Sequence, residues 1–261
     1  MPSASNHSNG RSTSRSHSSR SKVSPNSHKQ GHRASDRVRA YIKLILHHIE
    51  NKNWDAFEKL VLSSAQTFRS TSHRISSINE LNGMSLVHCC AYYDPPLKVL
   101  EKMIKIKPSS LSERDVLGRT PLHIAVGSGA SEDSVSFLVA SYPRACGCQD
   151  IDGRTPLHFA CDSSSQLFED DDPVRRDPPT YCLVQTLLSG CWDSAALEDK
   201  KGMDAIEYAL VSGAGMRTIR LLQKATQRQV LREKKQNTYE TRSCSQVNHN
   251  ESNATCSNER V

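Results

Sequence analysis

Three histidines recur at one interval: His88, His123 and His158 stand 35 residues apart. Imidazoles in such a ladder could ligate a metal, or each could tie one structural unit to the next. Packed helices lie about 10 Å apart, whereas ligands sharing an ion approach it to about 2 Å. One histidine per unit therefore reads as structural. Cys146-Gly147-Cys148 is a close thiol pair with a turn signal. No C-x-x-C partner lies at zinc spacing, so Cys161 or Cys191 would have to complete a site from another element. Glu169-Asp170-Asp171-Asp172 could attract a cation or a basic partner, but it lacks the alternating ligands and the glycine of a calcium loop. The chain has no nucleophile elbow, phosphate loop or H-E-x-x-H. We therefore expect no catalytic residue, no metal and no cofactor.

The histidines sit inside a longer recurring phrase. Gly118-Arg119-Thr120-Pro121-Leu122-His123-Ile124-Ala125 returns as Gly153-Arg154-Thr155-Pro156-Leu157-His158-Phe159-Ala160. Asp115 and Asp152 suit a turn before it, because an Asx side chain bonds backbone two residues on. Gly118 and Gly153 supply positive φ. Thr120 and Thr155 are N-caps, followed by proline at the first helical position. Leu122, Ala125, Leu157 and Ala160 share one helical face. Weaker copies flank the pair. Gly83 to Cys90 keeps His88 but loses the proline, and Gly202 to Ala209 has Asp204 as cap and Glu207 in the histidine place. A second helical pattern follows each phrase, over Leu97 to Lys107, Val135 to Ser141, Cys182 to Leu188 and Met216 to Lys235.

T-P-L-H-x-A at a period near 33 resembles the ankyrin repeat, a turn followed by two antiparallel helices. The resemblance implies an all-α repeat solenoid whose hairpin loops project from a helix-turn-helix stack. It covers residues 37–235: an N-terminal cap pair at 37–82, repeats at 83–117, 118–152 and 153–201, and a C-terminal repeat at 202–235. The cap pair is read as Asp36 to Glu50 with Trp54 to Leu62, which makes five helix pairs in all. Gly153 and Gly202 are 49 residues apart, so the third repeat carries an insert at 163–178. Loop entropy grows slowly with length, so a plain solvated loop is one reading of the insert; long loops in compact domains are also often functional. Tyr142-Pro143-Arg144-Ala145 replaces the family's usual repeat ending, which leaves the hairpin register there open.

The net charge of +6 hides an asymmetry. Residues 1–39 hold eight Lys or Arg against one acid, +7, so the remainder is −1. Residues 1–36 are expected to be a disordered basic tail, as are 236–261, a polar one, because few apolar groups are present. The first 35 residues contain twelve serines alternating with arginines, so roughly four or five phosphates would cancel the charge. The tail lacks base-stacking aromatics, so it offers RNA only a weak, salt-sensitive contact. No apolar stretch is long enough to span a membrane, and the first residues lack the apolar core of a secretory signal. The nine cysteines are odd in number, which points to free thiols in a reducing compartment, cytoplasmic or nuclear. Cys89, Cys90, Cys161 and Cys182 read as small core residues.

The resemblance implies a non-enzymatic adaptor that binds a protein partner through hairpin tips and first helices. The expected contact residues flank the turns: Glu113, Arg114, Val116 and Arg119 in one repeat, Gln149, Ile151 and Arg154 in the next, and Lys200, Lys201 and Met203 in the last. Arg119 and Arg154 are the residues of the recurring phrase that look free to touch a partner. The alternative is a nucleic-acid-associated or phosphorylation-regulated protein acting through its Ser/Arg tail.

Overall fold

The structure is a computed structural model that describes residues 26–78, 81–168, 176–232 and 234. Most of the Ser/Arg tail, the acids Glu169 to Asp172 and the C-terminal tail lie outside the described residues. The chain forms two compact units, residues 1–41 and 42–261. Helix α1, Asn26–Glu50, begins in the first and ends in the second. It starts upstream of Asp36, so the disordered tail expected over 1–36 is too long: residues 26–36 are helical. Once nucleated, a helix extends over indifferent sequence at little cost.

The second unit is built from helix pairs. They are α2 (Trp54–Val61) with α3 (Ala65–Ser76), α4 (Leu86–Tyr92) with α5 (Leu97–Ile106), α6 (Pro121–Ser128) with α7 (Glu132–Ser141), and α8 (Pro156–Cys161) with α9 (Tyr181–Gly190). The last pair is α10 (Ala205–Val211) with α11 over 216–232. Among the described residues every regular element is helical. First helices α4, α6, α8 and α10 pack in one row and second helices α3, α5, α7 and α9 in another. The core runs between the rows, from Leu100 and Leu122 through Leu138, Leu157 and Leu187 to Leu222.

The N-terminal cap was expected to be two helices, and this stretch holds three. Helix α3 escapes the apolar pattern because Thr71 and Ser72 fill core positions between Phe68 and Ile75, all four buried. The first pair of the stack is thus α2 with α3, not α1 with α2. In α11 the buried face is Thr218, Ile219, Leu222 and Ala225, while Met216 and Val230 are exposed. Cys182 is exposed too, unlike the buried Cys89, Cys90 and Cys161.

Each second helix from α5 to α9 ends in a 3-10 turn: Pro108–Ser112, Pro143–Gly147 and Trp192–Ala196. Ser110, Ala145 and Ser194 are buried at matching places. This turn stands where the family's usual ending is missing, and it fixes the register of the tips that follow.

Candidate functional site

Each tip is a short hairpin closed by one backbone bond. Asp115, Asp150 and Asp199 donate their N–H to the carbonyls of Arg119, Arg154 and Met203 at 2.9–3.0 Å. The same three aspartates brace the turn through Oδ1. Asp115 Oδ1 accepts from the backbone of Leu117 and Arg119, Asp150 from Asp152 and Arg154, and Asp199 from Lys201 and Met203. The turn carboxylate of the third repeat is therefore Asp150, not Asp152. The remaining oxygens differ: Asp115 Oδ2 takes the Arg119 Nε at 2.7 Å, and Asp199 Oδ2 takes the Tyr208 hydroxyl at 2.6 Å.

Neighbouring tips are stitched by backbone rungs. Val116 N–H meets Asn82 O, Ile151 N–H meets Leu117 O and Lys200 N–H meets Asp152 O, at 2.8–2.9 Å. Gly153 has φ +79°, and a Cβ there would lie 3.1 Å from Asp199 Cα. Glycine thus serves both the left-handed turn and the close approach of the next repeat.

The histidines join one repeat to the next. Nδ1 of His88, His123 and His158 accepts the N-cap N–H of Ser85, Thr120 and Thr155 at 3.0–3.1 Å. Nε2, left as the protonated nitrogen, donates to the carbonyls of Arg119, Arg154 and Met203 at 3.0, 3.3 and 3.2 Å. Both nitrogens of each ring are occupied, so no lone pair is left for a metal. Burial lowers the pKa of all three, His123 to about 3, which keeps the rings neutral. Glu207 takes the histidine place in α10 and accepts the Asp204 N–H at 3.0 Å. A carboxylate has no proton to pass on, and among the described residues no repeat follows to receive one. Among the described residues no group of three or more His, Cys, Asp or Glu is placed to hold a metal ion, Cys146 and Cys148 included.

The expected contact residues separate into two classes. Val116 and Ile151 are exposed, at 62% and 47%, on successive tips. Lys200 and Lys201 are exposed on the third. Arg114 and Gln149 are exposed but also act as staples. Arg114 Nη1 donates to Gly118 O and to Gln149 O in the next repeat, and Gln149 Nε2 repeats the pattern with Gly153 O and Glu198 O. Glu113 pairs with Lys107. Met203 is half-buried against the core.

Arg119 and Arg154 are not free. Arg119 is 2% exposed and ion-paired with Asp115. Arg154 lies over Phe159 and Tyr208 and pairs with Asp162 at 2.8 Å. A charged residue in a turn reads as solvated until its partner folds over it. The cover here is the start of the insert, residues 162–168, which no periodicity announces.

With this geometry in place, the match to known families is informative. Residues 86–169 match the family model for ankyrin repeats, in three copies. Residues 86–169 are ankyrin repeats. No curated protein matches the chain closely enough to be counted a relative. The matched ankyrin copies begin with α4 and end inside the insert, and the stack adds α2–α3 before them and α9, α10 and α11 after. No helix among the described residues is long and apolar enough to cross a membrane.

Proposed function

We propose that this ankyrin stack is a non-enzymatic adaptor that captures a protein partner on its tips, with Val116, Ile151, Lys200 and Lys201 in contact. Ankyrin repeats are generally protein–protein interaction modules. The observation that carries the reading is the pair Val116 and Ile151. Two branched apolar side chains stand exposed at equivalent places on neighbouring tips, anchored by the backbone rungs beneath them. Such a pair on a rigid scaffold offers apolar area with little ordering entropy left to lose. Lys200 and Lys201 extend the row and favour a partner with acids at one end. Seven free thiols among the described residues support a reducing compartment.

The test is affinity capture with the native chain, with Val116→Glu/Ile151→Glu and with Lys200→Glu/Lys201→Glu. Both variants should keep the native melting temperature and lose the same partner. Undiminished capture by both, with melting unchanged, would reject the tips as the contact surface.

A further inference from the structure

The first residues of the insert lie against the stack. From the end of α8 they turn back across α6 to the last residue of α4. Leu167 is 6% exposed and lies directly over Gly127, where a Cβ would come within 2.5 Å of Leu167 Cδ2. A glycine inside a helix weakens it, and here its absent side chain makes the hole that leucine fills. The Phe168 ring packs on Tyr92, centroids 5.4 Å apart, with the Arg119 guanidinium 5.0 Å from the Phe168 centroid.

Two arginines of the stack, Arg119 and Arg154, hold the segment, and Arg176 within the insert ties its own end back. Arg119 Nη1 donates to Leu167 O at 2.6 Å. Arg154 donates to Ser165 Oγ and to the Asp162 carboxylate. Arg176, on the far side of the insert, donates to the carbonyls of Val126, Phe159, Asp162 and Ser165. The segment turns at Asp162, where Ser165 N–H donates to Asp162 O, and the arginines of the stack read one main-chain carbonyl, the Ser165 hydroxyl and the Asp162 carboxylate. The apolar requirement is the Leu–aromatic pair over Gly127 and Tyr92. Arg119 Nη2 is buried with no hydrogen-bond partner, which leaves a donor for an occupant that brings a carboxylate.

We infer that this groove is a docking site for a partner segment carrying a leucine–aromatic pair beside an acid, and that the chain's own Leu167–Phe168 fills it until such a segment displaces it. The inference rests on the adaptor reading but uses a different surface from the tips.

The probe is a labelled peptide with the sequence of residues 162–176. It is titrated into the native chain, into full-length Leu167→Gly/Phe168→Gly, and into Phe168→Ser as a milder release. Each released chain that melts cooperatively should bind at least tenfold more tightly than the native chain. Adding Gly127→Leu to the released chain should abolish binding, and a peptide with glycines at its Leu–Phe pair should not bind. Equal binding to native and released chains overturns the proposal, as does no binding to a cooperatively melting released chain. Loss of peptide binding in a released chain with Val116→Glu/Ile151→Glu would place the peptide on the tips and also overturn it. Failure of partner capture at the tips with peptide binding intact would remove the adaptor reading alone.

Discussion

His123 and Arg154 face each other across a repeat boundary, the imidazole Nε2 donating to the arginine carbonyl at 3.3 Å while Nδ1 accepts from Thr120 N–H. One ring thus satisfies a helix cap and a neighbour's hairpin. His123→Ala orphans the buried Thr120 N–H, at about 1–3 kcal/mol, and takes the inter-repeat donor from the Arg154 carbonyl, which keeps only the Asp150 N–H. Urea unfolding should show a clear fall in midpoint. A midpoint within error of the native value would remove the histidines as the inter-repeat bond.

The same rings set an acid limit. Burial holds His123 at about 3 and lowers His88 and His158 below the ordinary 6.5. Below about 6.5 the unfolded chain takes up protons that the stack refuses, so acid favours unfolding. This stability is complete above 6.5 and is lost progressively as pH falls toward the folded values. Each refused proton costs about 1.4 kcal/mol per pH unit. Melting temperatures measured from pH 7 to pH 4 should fall, and fall less steeply in His123→Gln. Identical slopes in the two proteins would contradict the assignment.

Arg119 and Arg114 should part company in mutants. Arg119→Leu strands the buried Asp115 carboxylate, a loss of about 3–5 kcal/mol. Arg114→Ala removes two bonds from an exposed guanidinium, about 1 kcal/mol each. Chemical denaturation of both variants checks the order. A milder effect for Arg119→Leu would show that the pair is open to water.

Thiol labelling should follow burial. Cys182 is exposed, whereas Cys89, Cys90 and Cys161 are buried and their thiols pushed up by that burial, Cys89 to about 12. A maleimide at pH 7 should modify Cys182 in the folded chain and reach the other three only on unfolding. Mass spectrometry of labelled peptides reads this out. Early labelling of Cys161 would mean that the α8 end opens readily.

Much of this architecture is written in residue types. Thr120, Pro121 and His123 each demand one place at a helix start, and the capping boxes put them there. What is hidden depends on three-dimensional cover. Thr71 and Ser72 are small enough to be buried in α3 but polar enough to break its period. Asp150 and Asp152 both precede a glycine, and which of them closes the turn is set by the hairpin bond to Arg154. Gly127 looks like an ordinary weak spot in α6 until Leu167, forty residues on, is found above it. The exposed row of Val116 and Ile151 was legible because a tip residue beside a glycine turn has nowhere to be buried. The sequestration of Arg119 was not, since its cover comes from another repeat's insert.

The three tip aspartates share one task at Oδ1 and differ at Oδ2, where Asp115 meets an arginine and Asp199 a tyrosine. The repeats are thus alike in outline and distinct in wiring. Transplanting the Asp199 hairpin into the place of the Asp115 hairpin would preserve every turn and cap. It would also set Met203 where Arg119 stands, removing the cation that holds the strap and leaving the carboxylate to seek a phenol that α6 does not carry. Order along this stack is therefore encoded, and its units cannot be shuffled like beads on a string.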